Sequence, residues 1–342
     1  MIWPRHRILK KFNVNYFITP DLNSISGGNK YDLNILSYLY QIGFKVKNIY
    51  PSSSSLTMLN FLNTIHKIPN DSIIIIDGLI AAQMYSVFNN LVKKYRVIIL
   101  IHHPVSYENN KYGDIALKLK ERKIFSEAHS LITVSKTMKK TVQRMLNNKK
   151  YIDVVHPGVD EEYFENNHDK KQGYNLICVG SIIPRKNIES CIKTLTYLDE
   201  KWNLSIVGKY KRSDPYMRSL YNLIDDLNLS HRVKFLGQIE DNNNLIKILM
   251  SSQIYICLSH YEGYGMANVE AATLGLPVVV SDLPVFRENL KGFKRKYVNV
   301  DNCQEIAKAI EDLFQDQTVR QNEPSIRWKE VGFKFKQVLD GQ

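Results

Sequence analysis

Short apolar runs alternate with helical patterns along most of the chain. Before residue 160 the runs are strand-sized, and two of them, "SIIIID" and "RVIILIHH", are almost wholly apolar. The apolar runs of this first part predict strands at 14–19, 44–50, 72–77, 96–103 and 130–135. The intervening patterns predict helices at 31–43, 55–68, 78–95, 113–126 and 135–147. Apolar strands alternating with helices are typical of a parallel sheet that is covered on both faces.

The alternation stops at 154–173 and then begins again. This break carries proline, glycine and a polar cluster, as a linker does. The later strands are predicted at 175–181, 203–209, 233–239, 254–260 and 277–282. The later helices are predicted at 187–197, 215–227, 242–250, 266–274 and 325–342. We therefore predict an α/β protein with two doubly wound, Rossmann-like domains, 1–158 and 159–324, followed by a final helix.

The composition is that of a globular protein without a membrane-spanning segment. The chain has 342 residues, of which 44% are apolar and 23% charged, and its apolar runs are too short to span a membrane. The basic N-terminus has no apolar core of signal-peptide length, and the four cysteines show no metal-ligand spacing. A cytoplasmic protein with reduced thiols is expected.

The formal net charge of +12 is confined to one part of the chain. Residues 1–160 carry 22 Lys and Arg against 10 Asp and Glu, whereas residues 161–342 carry 24 of each. A basic N-terminal domain favours a polyanionic partner such as anionic lipid, nucleic acid or a phosphorylated acceptor, although a solvated lysine-rich surface explains the charge equally well. The basic helix at 135–147 has apolar positions that suit either a membrane surface or ordinary packing.

Two doubly wound domains place a ligand cleft at the carboxyl ends of their strands. In the first domain, Gly27 and Gly28 follow the first strand and would allow an anion to approach the next helix, or form a plain turn. His102 and His103 end another strand and would point to opposite faces. No third ligand is evident beside them, so no metal site is predicted.

The second domain carries charged side chains at its strand ends. Arg185 and Lys186 precede a helix, where two cations suit a diphosphate. In "SHYEGYGMANVEAATLGLPVVVSD", Glu262 is expected on a loop and Glu270 on the next helix. Gly263 and Gly265 between them would let backbone N–H groups converge on an anion, and each glutamate could hydrogen-bond sugar hydroxyls. Taken singly, Glu262 also fits a loop surface charge, and Glu270 also fits the preference of acidic residues for the first turns of a helix.

These segments resemble the GT-B-fold retaining glycosyltransferases of family 4 (group 1). The paired-glutamate segment carries the resemblance most specifically, supported by "HPGVD", "VGSIIPRKNIES" and "VKFLGQI", and more loosely by "SISGGNKYD" and "IHHP". The resemblance implies two Rossmann-like domains facing across a cleft. It also implies that the last helix, with Trp328, crosses back onto the first domain.

The resemblance also implies roles for individual residues. Arg185 and Lys186 would neutralise the donor diphosphate, Glu262 would contact the donor sugar, and His102 or His103 would line the sugar side. Glu270 would hold the ribose hydroxyls. Further donor contacts are implied for Gly27, Gly28, Gly180, Gly237, Gly263, Tyr264, Gly265 and Met266.

The expected reaction is sugar transfer from a nucleoside-diphosphate sugar to a hydroxyl of a glycan, a lipid-linked or a small-molecule acceptor. No Asp-x-Asp motif occurs in the chain, so no metal cofactor is expected and the cations are expected to neutralise the leaving group. A same-face displacement is the hypothesis, since only Glu262 remains at the sugar. Alternatives are a nucleotide-sugar hydrolase or epimerase, and a non-catalytic basic binding protein. An anionic membrane surface is a candidate partner of the basic N-terminal domain; specific nucleic-acid binding is not expected.

Overall fold

Two parallel sheets organise the part of the chain that the structure describes. This computed structural model describes residues 15–23, 26–50, 65, 67–70, 72–107, 115–164, 173–316 and 325–341. The strands of the first sheet are β1 (Asn15–Ile18), β2 (Val46–Ile49), β3 (Ile73–Asp77), β4 (Arg96–Ile101), β5 (Ser130–Thr133) and β6 (Ile152–Val154). Those of the second are β7 (Asn175–Val179), β8 (Asn203–Val207), β9 (Val233–Gly237), β10 (Ile254–Cys257), β11 (Val278–Ser281) and β12 (Arg295–Val298).

Helices cover both faces of each sheet. Those of the N-terminal unit are α1 (Gly27–Gln41), α2 (Gly78–Gln83), α3 (Tyr85–Lys94), α4 (Ile115–Glu127) and α5 (Lys136–Met145). Those of the C-terminal unit are α6 (Ile188–Thr194), α7 (Pro215–Asp226), α8 (Asn242–Met250), α9 (Met266–Thr273), α10 (Pro284–Asn289) and α11 (Cys303–Gln315). A final helix, α12 (Trp328–Asp340), follows.

The strand orders confirm the predicted doubly wound fold. They are β2-β1-β3-β4-β5-β6 in the first sheet and β12-β11-β10-β7-β8-β9 in the second, and all neighbours are parallel. In β3, Ile73 and Ile75 join the core on one face while Ile74 and Ile76 join the core on the other. This two-sided burial explains the unbroken apolar run. The predicted boundary at residue 158 falls between β6 and β7, and its position stays a prediction.

Several predicted boundaries differ from the observed ones. Helix α1 begins at Gly27 rather than at residue 31, because the Ser26 side chain accepts the backbone N–H of Asn29 and caps the helix there. The helix predicted at 78–95 is two helices that meet at Met84. The helix predicted at 55–68 lies almost entirely outside the described residues, and the sequence did not predict α10, β12 or α11.

The basic helix α5 is an ordinary packed helix on its apolar face. Its apolar side chains are buried, namely Met138, Val142, Met145 and the following Leu146. Because this face is covered, ordinary packing explains the apolar positions of this segment. No helix within the described ranges is apolar for long enough to cross a bilayer.

The C-terminal helix α12 packs on the N-terminal unit, as the predicted fold requires. Val331 and Phe335 are buried in the same core as Tyr31 of α1, and the Trp328 ring meets the Tyr31 ring edge-on at 5.7 Å. Gly332 faces Tyr38 so closely that an added Cβ would overlap the phenol ring. The glycine therefore sets the approach of α12 to α1.

Replacing Gly332 with alanine should lower the free energy of unfolding by about 1–3 kcal/mol, because the overlap forces the two helices apart. Alanine by itself favours a helix by about 1 kcal/mol over glycine, so a loss identifies packing as its cause. Denaturant unfolding measures the change. Phe333→Ala on the same helix is the control, since Phe333 is 56% exposed and should change little. A Gly332→Ala variant as stable as the parent would contradict this packing.

Candidate active site

The carboxyl ends of the two sheets lie against each other and bring the predicted residues together. The backbone carbonyl of His102, just after β4, lies against Gly263 of the C-terminal unit with no room for a side chain at that position. Close by, the Ser135 hydroxyl donates to the Gly263 carbonyl oxygen at 2.9 Å. A glycine at 263 is therefore required by the contact between the units.

Glu262 is the centre of a buried charged cluster. Its side chain is only 8% exposed and lies on the loop after β10, as predicted. Lys186 donates to Oε1 of Glu262, Ser259 donates to the same oxygen at 2.8 Å, and the Arg185 guanidinium lies 3.3 Å from Oε2. The two cations precede α6 in a short 3-10 turn. Glu262 thus compensates positive charge that the start of a helix would otherwise disfavour.

This pairing decides the charge of the carboxyl group. Burial alone would raise the pKa of Glu262, but attraction to Lys186 and Arg185, with hydrogen bonds from Lys186 and Ser259, lowers it to about 2. The same contact raises the pKa of Lys186 although burial acts to lower it. Glu262 is therefore a carboxylate at neutral pH, able to accept hydrogen bonds but not to donate a proton.

Glu270 lies on α9, as predicted, and is engaged from the other unit. Lys30 of α1 places its Nζ 2.6 Å from Oε1 of Glu270 and 2.7 Å from Oδ2 of Asp160. The Lys30 ammonium group also lies 5.5 Å from the centre of the Tyr163 ring. The two carboxylates raise the pKa of Lys30 against the lowering effect of burial, so it is charged. The sequence offered no sign of this bridge, because Lys30 and Glu270 are distant in the chain.

The predicted glycine turn lies in the first turn of α1 and faces the cleft. A Cβ at Gly28 would approach Cδ2 of His102 to 3.2 Å, and one at Gly27 would lie 3.6 Å from Sδ of Met266. The glycines therefore touch a residue from each unit. His103 instead faces Tyr261, with ring centres 6.3 Å apart.

Four further predicted residues lie on loops or at strand ends of the C-terminal unit. Gly265 precedes α9, has a φ of 84° and lies tight against the Phe286 ring. A side chain at this position would be disfavoured by the backbone conformation and would also overlap the ring. Gly180 follows β7 beside the Lys186 side chain. Tyr264 is half-buried near His156, with ring centres 5.9 Å apart. Gly237 ends β9, with open space where a side chain would stand. The donor-binding roles of all these residues stay predictions.

His102 is held by two carboxylates that the sequence did not single out. Its Nε2 lies 3.0 Å from Oδ1 of Asp32 and 3.2 Å from Oδ2 of Asp77. Among the described residues, these three form the one group of three or more His, Cys, Asp or Glu side chains whose ligand atoms lie within 4.8 Å of one another. The contacts are those of an ion pair on one nitrogen. Asp77 is the last residue of the run "SIIIID", so its position at a strand end could have indicated a cleft residue. Asp32 lies inside a helix, where no sequence pattern distinguishes it.

Comparison with known proteins gives the chain a family. The family model for "Glycosyl transferases group 1" matches residues 159–331. The O-antigen chain mannosyltransferase RfbU of Salmonella typhimurium is 32% identical over 216 residues, which is 63% of this chain and 58% of that protein. The GDP-mannose:cellobiosyl-diphosphopolyprenol alpha-mannosyltransferase of Xanthomonas campestris is 29% identical over 167 residues, 47% of this chain and 42% of that protein. The matches thus span about half the length of these relatives.

The fold resembles a solved structure over nearly its full length. Sucrose-phosphate synthase from Thermosynechococcus elongatus superposes with a TM-score of 0.81 at 17% identity, covering 95% of this chain and 98% of that one. At this identity the likeness concerns the fold alone. The two-sheet architecture with a facing cleft is therefore shared with a GT-B protein.

Replacing Glu262 with glutamine should lower the free energy of unfolding by about 3–5 kcal/mol at pH 7, because Lys186 then loses its carboxylate partner while staying buried. A double variant that also carries Lys186→Met should recover part of this loss. Because the pKa of Glu262 is depressed, the contribution is present above its ordinary range and is lost as the pH falls towards about 2. Denaturant unfolding at several pH values measures it.

Glu311→Gln is the matched control, since Glu311 is an exposed glutamate on α11. It should leave stability within about 0.5 kcal/mol. A Glu262→Gln variant that behaves like this control would show that the ion pair is not formed.

Proposed function

The chain belongs to the group 1 family of glycosyl transferases, and from that premise we propose that it transfers mannose from a nucleoside-diphosphate donor to a hydroxyl of a lipid-linked glycan. We propose that transfer retains the anomeric configuration and needs no metal ion. The observation that carries the proposal is the buried Glu262–Arg185–Lys186 cluster, at the strand ends that face the Gly27–Gly28 turn.

The cluster supplies the electrostatics that the reaction needs. When the bond between the sugar and the diphosphate breaks, negative charge develops on the leaving oxygen. Arg185 and Lys186 are two fixed cations in a site that is largely closed to water, where such charges act strongly. They can neutralise the leaving group without Mg²⁺, and Glu262 holds them in place before the donor arrives.

The ionised state of Glu262 excludes a general-acid role for this residue, and we propose a same-face displacement in which it transfers no proton. A carboxyl group with a depressed pKa cannot serve as the general acid of a glycosidase-like pair. Glu262 instead accepts hydrogen bonds from sugar hydroxyls. In the proposed step the acceptor oxygen bonds to C1 of the sugar, the bond from C1 to the phosphate oxygen breaks, and the acceptor proton passes to that departing oxygen.

In this proposal Glu270 binds the ribose of the donor nucleoside, and Lys30 releases Glu270 when the donor binds. The ribose hydroxyls would replace the Lys30 ammonium group on Glu270, while Lys30 keeps its contact with Asp160. Donor binding is then an exchange of hydrogen bonds rather than the filling of an unpaired site. This exchange limits the desolvation penalty of the buried carboxylate.

The donor and acceptor classes rest on the relatives. One is named an O-antigen chain mannosyltransferase, and the other a GDP-mannose-dependent enzyme that acts on a diphosphopolyprenol-linked sugar. A lipid-linked acceptor would be met at a membrane surface, so we propose a cytoplasmic protein that works on the inner face of a membrane. Helix α4 offers a suitable surface, with Ile115 and Leu119 73% and 61% exposed beside Lys118 and Arg122.

Incubation with a panel of nucleotide sugars and an acceptor should release nucleoside diphosphate most rapidly from GDP-mannose. Replacing Glu262 with glutamine should lower kcat by about 100-fold or more, because the cations lose their alignment for the leaving group. Replacing Glu270 with glutamine should mainly raise KM for the donor by about 10-fold, because a ribose hydrogen bond is weakened. Initial rates of release, with Glu311→Gln as the control, measure both effects.

Four outcomes would contradict parts of this proposal. A product of inverted anomeric configuration excludes same-face displacement, and loss of activity with EDTA excludes the metal-free step. Release of nucleoside diphosphate that needs no acceptor would favour a nucleotide-sugar hydrolase instead. Activity unchanged in Glu262→Gln would remove the cluster from the mechanism.

Replacing Leu119 with glutamate should reduce co-sedimentation with anionic vesicles several-fold, because an apolar contact is lost and a like charge is added. Binding by the parent protein should weaken as salt rises. Leu236→Glu is the control, since Leu236 is 41% exposed on β9 in the C-terminal unit. Equal binding by both variants would contradict the α4 surface.

A further inference from the structure

Asp32, Asp77 and His102 form a buried charged cluster on the N-terminal side of the cleft. Asp32 lies in α1 with its side chain fully buried, and Asp77 ends β3 with its side chain 4% exposed. Both reach Nε2 of His102, at 3.0 and 3.2 Å. One imidazole nitrogen thus lies between two carboxylates from different elements.

The surroundings of these groups favour a charged imidazole ring. Oδ2 of Asp32 is buried and has no hydrogen-bond partner, and burial raises the pKa of this carboxyl to about 7 although His102 acts to lower it. Its ionised form therefore depends on a cation close by. Burial alone would lower the pKa of His102, but attraction and hydrogen bonds from Asp32 and Asp77 raise it well above its ordinary value. Asp77 is itself immobilised, because its Oδ1 accepts the Leu79 N–H at 2.7 Å and caps α2.

The other groups around the ring do not oppose this charge. Tyr31 of α1 meets it edge-on with ring centres 5.3 Å apart, and burial keeps that phenol neutral by raising its pKa. Asp77 is the charged group from β3 and the start of α2. The C-terminal unit approaches with Gly263, which brings backbone only. Lys30, also on α1, is engaged by Glu270 and Asp160.

The two carboxylates also fix where the ring lies. With Nε2 anchored to Asp32 and Asp77, the Cδ2 edge faces Gly28, where a Cβ would come within 3.2 Å. The His102 side chain remains 16% exposed, so it borders the cleft rather than the core. A protonated ring has a second donor, Nδ1–H, which it can offer to a ligand.

We propose that Asp32 and Asp77 are positioning residues that hold His102 as an imidazolium cation beside the donor sugar, opposite the Arg185–Lys186 pair. The inference rests on the proposed function for the identity of the ligand. It adds a third positive charge to the site, supplied by the N-terminal unit. The transition state is then met by cations from both sides of the cleft, and removing either carboxylate weakens the cation without touching the substrate.

Nuclear magnetic resonance of labelled histidine tests the charge directly. The chain has nine histidines, and a His102→Gln variant identifies the His102 signal. In the parent protein this signal should stay in the protonated position from about pH 5 to 8, whereas an unperturbed histidine titrates within that range. In Asp77→Asn the titration should enter that range, because one anion is gone while asparagine still caps α2. The other histidines should not move between the variants.

Kinetics supply the readout that a structural role would not change. Above its new titration point, Asp77→Asn should lose about 10-fold or more in kcat with little change in KM for the donor, while the parent shows no such loss. At about pH 5.5, where the ring is protonated in both, the variant should regain most of its kcat. Asp32→Asn should show the same pH-dependent loss of kcat. If Asp32→Asn fails to fold, Asp77→Asn alone still decides the test.

Two results would overturn the inference. The first is a parent His102 that titrates in the ordinary range. The second is a thermal stabilisation by added Zn²⁺ that the parent shows and Asp77→Asn lacks, which would make the cluster a metal centre. Because the titration needs no substrate, it separates this inference from the proposed function. If His102 is charged but the protein transfers no sugar, the proposed function is wrong and this inference stands.

Discussion

Charges buried in the cleft between the two sheets must be paired, and this constraint shapes the whole site. Glu262 is 8% exposed yet ionised, because Lys186 and Arg185 supply two cations and Ser259 a further hydrogen bond. Each partner would be costly to bury alone. The pairing therefore stabilises the loop between β10 and α9 and holds two cations at the cleft, where the proposed function uses them for an anionic leaving group.

The same constraint joins the two units. Lys30 of α1 pairs with Glu270 of α9, and Glu288 of α10 accepts the N–H groups of Lys136 and Thr137 at the start of α5, at 2.7 and 2.9 Å. Glu288 also lies 2.9 Å from Nε2 of His156, in the segment that links the units. These contacts between the units are polar, as is common where two domains of one chain meet. In the proposed function, donor binding at this cleft is an exchange of such partners.

Particular residues show how far sequence patterns reach. The run of isoleucines in β3 predicted a strand buried on both faces, because both cores need apolar side chains there. Glu262 and Glu270 were correctly placed on a loop and a helix, since Gly265 marks where α9 begins. The start of α1 was placed too late, because capping by Ser26 carries Gly27 and Gly28 into the first turn.

The sequence by itself determined the two α/β units, their strand ends and the residue types that stand there, because periodicity and local punctuation are properties of short segments. It also suggested the family through the paired-glutamate segment, and the comparisons confirmed that family. Only the tertiary structure decided which charges meet. The contacts of Lys30 with Glu270, and of Asp32 and Asp77 with His102, join residues that are far apart in the chain. Such partners, and the pKa shifts they cause, depend on distances that arise only when the sheets are assembled.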